Sequence, residues 1–173
     1  LQLGKKIKAS LAGESITTVL AKAQTNAVLY LADDGRKVIP FYLNSHESVV
    51  VESDHVLAFQ TTVEWDIVIL KSVGALLSAG LFSMKFKGPG FVSVLTDQAP
   101  LILSTRRDAA IHTDPKNTVL WSGHLKPELK TNIGLKSIFG YDSGEELQMK
   151  FEGADGFVMV QPVDNSPKLP KSE

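Results

Sequence analysis

The sequence predicts an all-β fold, a β-sandwich or double-stranded β-helix built from two tandem, pseudo-repeated units. Three observations predict it. Runs of β-branched and aromatic residues recur along the 173 residues, helical patterns are thin, and one strand-turn-strand motif occurs twice. Taken in chain order, Leu1 to Ser10 carries Lys5, Lys6 and Lys8 around Ile7 with no long apolar core behind them, so no retained signal peptide is expected. Ile16 to Ala23 is long enough for a helical turn or two, but β-branched Thr17, Thr18 and Val19 weaken it. Asp33-Asp34-Gly35 stands between Val28-Leu29-Tyr30-Leu31 and Lys37-Val38-Ile39, an Asp-Gly hairpin signal. Val49-Val50-Val51 reads as a short buried strand, with His55 to Gln60 following at once. Val63 to Leu70 alternates and then turns continuously apolar, as a strand does on passing from a half-wet to a covered position. Leu76-Leu77, between Gly74 and Gly80, has too many small breakers around it for a helix.

The duplicated motif is the strongest internal signal. Met84-Lys85-Phe86-Lys87-Gly88-Pro89-Gly90-Phe91-Val92-Ser93-Val94 returns as Met149-Lys150-Phe151-Glu152-Gly153-Ala154-Asp155-Gly156-Phe157-Val158-Met159-Val160. The offset grows from 65 to 66 residues inside the turn, where an insertion is tolerated. Each copy reads as a hairpin whose glycines, Gly88, Gly90, Gly153 and Gly156, make the turn through positive φ. A weaker echo sets Val56-Leu57 against Val119-Leu120 at an offset of 63. Residues 1–163 are therefore expected to form a single β domain with pseudo-repeats at about 49–99 and 112–162. Residues 164–173, with Pro167 and Pro170, form a flexible tail.

Composition excludes several function classes. Eighteen Lys and Arg against nineteen Asp and Glu leave a formal charge of -1, so no net field draws the chain to nucleic acid or an anionic membrane. The absence of cysteine removes disulfides, thiol nucleophiles and thiolate metal sites. The most apolar stretch, Ile67 to Phe82, is broken by Lys71 and is shorter than the roughly 20 residues of a spanning helix, so no transmembrane segment is expected.

A search for chemistry yields little. His46, His55, His112 and His124 are too far apart for a His-x-His metal pair and read as surface or capping residues. Gly140-Tyr141-Asp142-Ser143-Gly144 has its serine displaced by one position from a nucleophile turn. Adjacent Glu145 and Glu146 would point to opposite faces of a strand rather than form a carboxylate dyad. Gly88-Pro89-Gly90 is followed by a strand, not the helix a phosphate cradle needs. Basic residues at Arg36-Lys37, Arg106-Arg107 and Lys126, Lys130 and Lys136 are scattered among acids, which argues against a nucleic-acid groove. What remains is a pair of apolar connectors. Leu76, Leu77, Leu81 and Phe82 in the first unit and Ile138 and Phe139 in the second form a candidate interaction surface.

Several of these segments resemble a known family. Leu57-Ala58-Phe59, Val63-Glu64-Trp65-Asp66-Ile67, Gly74 to Phe82 and Phe86 to Val92 resemble the altered inheritance of mitochondria protein 24 family, particularly its bacterial members. Val119-Leu120-Trp121-Ser122, Ser143 to Met149 and Gly156 to Pro162 extend the likeness, which covers roughly residues 12 to 162. The resemblance implies tandem units similar to the tryptophan RNA-binding attenuation protein, often assembled into oligomers, with no established catalytic residues. It also implies inner-membrane organisation and respiratory-complex integrity as the setting of mitochondrial members. Ala154-Asp155 departs from the lone Pro89 of the first turn. The compartment would be cytoplasmic for a bacterial chain and mitochondrial for a eukaryotic one.

The expected function is a non-enzymatic, self-associating scaffold or protein-interaction module, without cofactor and with a homo-oligomer as its first partner. The rival is a small-ligand or metal-binding β-barrel, even an enzyme, with a cleft lined by Trp65, Trp121 or His124. RNA binding is the alternative suggested by fold analogy alone.

Overall fold

Residues 18–68, 82–132 and 146–162 are described by a computed structural model. Among them the apolar runs become twelve strands: β1 (Lys37–Leu43), β2 (Ser48–Glu52), β3 (Val56–Phe59), β4 (Glu64–Val68), β5 (Ser83–Lys87), β6 (Gly90–Thr96), β7 (Leu101–Ser104), β8 (Ile111–Thr113), β9 (Thr118–Ser122), β10 (Glu128–Asn132), β11 (Glu146–Phe151) and β12 (Phe157–Val160). Two 3-10 turns, Ser53–His55 and Pro115–Asn117, introduce β3 and β9. No helix forms over residues 18–23. Nor is any helix of the described residues long and apolar enough to cross a membrane.

A central six-stranded sheet has the order β4-β5-β2-β9-β12-β7, and two three-stranded sheets run β1-β6-β3 and β10-β11-β8. In the first half β6 lies between β1 and β3 while β5 lies between β2 and β4; in the second, β12 lies between β7 and β9 while β11 lies between β8 and β10. The pairing order is the same in both halves. The bulge recurs too: the β3–β6 ladder slips between Val56 and Ala58, and the β9–β12 ladder slips opposite it, between Met159 and Val160. These registers place Val56 with Thr118 and Phe59 with Trp121, 62 residues apart, rather than at the 63 of the sequence echo. The two halves are joined where β2 pairs with β9.

The duplicated motif is not a hairpin. β5 pairs with β2 and β4 in the central sheet, whereas β6 pairs with β1 and β3 in an outer one. β11 and β12 divide between sheets in the same way. Each motif is therefore an arch whose arms stack face to face. Apolar alternation favours this arrangement because both arms can aim one face at a shared interior: Met84 and Phe86 meet Val92 and Val94 in one core. Burying each such side chain stabilises the fold by about 1.5–3 kcal/mol. A second core gathers Val50, Trp121, Leu125, Met149, Phe151 and Val158, so the central sheet is covered by different cores on its two faces.

The expected Asp-Gly hairpin is also absent. Its turn forms, with Arg36 N–H donating to Asp33 O at 2.8 Å and Gly35 at φ 76°. β1, however, pairs with β6, and residues 28–31 belong to no strand. A ladder continuing from that turn would set Pro40, which has no N–H to donate, opposite Leu29.

Candidate interaction surface

The joint between the halves shows what a closed edge looks like in this chain. Val49 pairs with Ser122, Val50 with Trp121 and Val51 with Leu120, and all six are buried. Beyond them the Gly123 N–H donates to Ser48 O at 2.7 Å. A Cβ at Gly123 would overlap the Ser48 side chain, so only glycine permits that approach. Lys85 closes the same corner, its Nζ donating to Gly123 O at 2.9 Å. Trp121 packs on Phe151 at 5.5 Å between ring centroids, although its buried indole N–H has no acceptor among the described residues.

β3 and β8 correspond to β9 and β2, and both are edge strands among the described residues. The difference in burial follows. β9 is buried throughout, whereas all four residues of β3 are half-buried. Val49, Val50 and Val51 of β2 are buried, whereas their counterparts Ile111, His112 and Thr113 are half-buried, exposed and buried. Elsewhere the surface carries Tyr42 and Phe91, paired edge to face at 5.1 Å, together with exposed Val28, Leu29, Tyr30, Leu101 and Ile102.

The residues before the two 3-10 turns also diverge. Asp114 is exposed and accepts from the Lys116 N–H at 2.8 Å, an N-cap that satisfies a free amide. Glu52 makes no cap; it is 5% exposed and accepts from Ser83 Oγ at 2.9 Å. Burial, assisted by the nearby Asp54 charge and only partly offset by the Ser83 hydrogen bond, pushes its carboxyl up to about 8. The first 3-10 turn is tied down from three sides. Ser53 N–H donates to Phe82 O at 2.9 Å, Arg36 Nη1 to Asp54 O at 2.9 Å, and His55 Nδ1 lies 2.7 Å from Leu95 O.

The sequence-derived candidates fall in varied places. Leu76, Leu77, Leu81, Ile138 and Phe139 lie outside the described residues, as do Asp142, Ser143 and Glu145. Phe82 is described and sits in the first core, 6% exposed. All four motif glycines lie at the arches, but only Gly90 (φ 147°) and Gly153 (φ 128°) have positive φ. Asp155 adds a third such residue at φ 58°. Gly88 is needed for close approach instead, since a Cβ there would overlap the Asn44 and Leu43 carbonyl oxygens; at Gly156 it would press on Leu125 at 3.0 Å.

Of the histidines, His46, His112 and His124 are exposed, while His55 is buried, contrary to the surface or capping role expected for it. Trp65 packs against the first core and Trp121 in the second, so the two do not share an interior. Among the described residues no group of three or more His, Asp or Glu is placed to hold a metal. The run His55 to Gln60 contains β3, but neither its place at a sheet edge nor the strand β8 is marked by local pattern. Their signal was present in the 62-residue correspondence of β3 with β9 and β8 with β2.

A family model described as Mitochondrial biogenesis AIM24 matches residues 2–163. Among solved structures, protein SPYM3_0169 from Streptococcus pyogenes is similar, with 17% identity, a TM-score of 0.58 and coverage of 73% of this chain and 54% of that one. That likeness concerns the fold, and the chain spans about half the length of the streptococcal protein. No curated protein matches.

Proposed function

The chain belongs to the Mitochondrial biogenesis AIM24 family, and on that premise we propose that it is a non-enzymatic, self-associating scaffold built from two tandem units of the double-stranded β-helix or sandwich kind. The observation that carries this reading is the contrast between its edges: equivalent strands are buried where both sides are paired and more open where, among the described residues, only one side is. Exposed Tyr42, Phe91, Leu101 and Ile102 add apolar surface of the sort that marks interaction sites. The apolar connectors around Leu76, Leu77, Leu81, Ile138 and Phe139 would add to it. In this reading the protein acts by holding components together, in the processes for which its family is named.

Size-exclusion chromatography with light scattering tests the association. The expected result is a mass of two or more chains; a strict monomer at high concentration overturns the scaffold. Leu76→Asp with Leu77→Asp separates connector from core: folded monomers support the connector role, and global unfolding assigns those leucines to the interior.

A further inference from the structure

We propose that Asp34 is a site of spontaneous main-chain modification, converting to isoaspartate through its bond to Gly35, while the same dipeptide at Asp155-Gly156 is held unreactive by the fold. The chain has two Asp-Gly pairs and no Asn-Gly pair. In such a pair the glycine nitrogen attacks the aspartic carboxyl carbon; a C–N bond forms, water leaves, and the main chain closes into a succinimide. Water then adds at either carbonyl. Opening on the α-carbonyl side leaves the main chain running through the side-chain carboxyl carbon, with the mass unchanged and no oxidant, reductant or cofactor consumed. Glycine favours the attack because it has no Cβ to shield its nitrogen.

The two pairs stand in opposite surroundings. Asp34 and Gly35 are exposed, a Cβ at Gly35 would meet nothing within 4 Å, and residues 28–32 before them belong to no strand. Rotating that peptide until carboxyl and nitrogen meet disturbs a local turn and no sheet ladder. At the second arch Asp155 is exposed too, so access to the carboxyl does not separate the pairs. The nitrogen does. Gly156 N–H donates to Thr105 Oγ at 3.1 Å, and Gly156 O accepts from Thr105 N–H at 2.9 Å. Beyond it Phe157 N–H donates to Ser122 Oγ at 3.0 Å. Attack from the Gly156 nitrogen requires its bond to the buried Thr105 hydroxyl to break first.

Arg36 gives the modification its consequence. Its N–H donates to Asp33 O across Asp34-Gly35 at 2.8 Å, its Nε donates to the Asp33 carboxylate at 2.9 Å, and its Nη1 donates to Asp54 O at 2.9 Å. Isoaspartate adds a methylene to the main chain inside this clasp, which ties the turn to the first 3-10 turn and so to the start of β3. An aged copy is thereby marked by a slackened clasp and by a new α-carboxylate, the group that a carboxyl-methylating repair enzyme would recognise.

The test holds the full chain at neutral pH and physiological temperature for weeks, follows its fold by circular dichroism, and digests it with trypsin beside freshly purified protein. Cuts after Lys22, Arg36 and Lys150 place the two pairs on separate peptides, where electron-transfer fragmentation distinguishes isoaspartate from aspartate at equal mass. The expected result is accumulation at Asp34 at least about tenfold faster than at Asp155 in the native protein, with comparable rates in urea. Equal native rates, accumulation at Asp155 alone, or none at Asp34 overturns the proposal. Asp34→Glu should abolish the signal at that position. Thr105→Val removes the acceptor for the Gly156 N–H and should speed isomerisation at Asp155 about three- to tenfold, the worth of one hydrogen bond. An unchanged rate in that variant, still folded, overturns the protection assigned to Thr105; should it not fold, the native and urea rates of the unaltered chain decide.

Discussion

Trp121 and Phe59 hold the same register position in the two halves, yet Trp121 is 1% exposed and Phe59 is half-buried. Val50 and His112 differ in the same direction. The pairs teach that burial at these positions is decided by whether a neighbouring strand arrives, since both halves give each strand the same partners inside its own half. Residue type has followed that outcome: Val and Trp occupy the closed edge, His and the smaller Phe the open one.

Substitutions at equivalent sites break or sharpen this comparison. The largest effect is expected at the arches. Gly88→Val drives a branched side chain into the carbonyls of Leu43 and Asn44 and should abolish cooperative folding, whereas Gly156→Val meets only side-chain atoms and should cost about 1–3 kcal/mol. Thermal unfolding of the two variants checks it, and equal losses would show that the arches are not constrained differently. Next, Trp121→Ala should cost about 4 kcal/mol and Phe59→Ala roughly half as much, measured by urea denaturation of the two proteins under identical conditions. A larger loss at Phe59 would reverse the assignment of open and closed edges.

The two acids before the 3-10 turns give smaller effects. Glu52 is raised from 4.5 to about 8 in the folded protein, so between those pH values the native state holds a proton that the unfolded chain has released. Its contribution is therefore full below about pH 4.5 and declines as pH rises toward 8, by at most about 1.4 kcal/mol per pH unit. Glu52→Gln should flatten that slope and raise stability at pH 8; an unchanged slope would mean that the carboxyl is hydrated. Asp114→Ala, by removing an N-cap, should cost about 1 kcal/mol. Denaturation midpoints from pH 5 to 8 distinguish the two.

Strand identity was legible from local pattern. Val49-Val50-Val51 and Glu64 to Val68 form strands where β-branched and alternating residues require them. Pairing was not legible, because Gly88-Pro89-Gly90 signals a change of direction without telling whether the arms remain in one sheet or separate across a core. Similarly, Asp33-Asp34-Gly35 forms its turn, but β6 competes successfully for β1 from 47 to 59 residues away. The echo between β3 and β9 is off by one residue because Val56-Leu57 matches Val119-Leu120 in residue type, whereas the ladders align Val56 with Thr118 and Ala58 with Leu120. The burial of Glu52 is not legible because an acid at a strand end ordinarily reaches water, and nothing local signals that Ser83, 31 residues on, donates to its carboxyl. The family resemblance was legible in the combined segments, and the matched span of residues 2–163 includes all of them.

The β2–β9 joint also bears on how the molecule is made. During synthesis β2 leaves the ribosome some seventy residues before its partner β9, so the nascent first half carries a bare valine-rich edge until the second half arrives. An unpaired edge of that kind is a template for pairing with another chain, so the first half is exposed to misassembly until β9 is available to cover it.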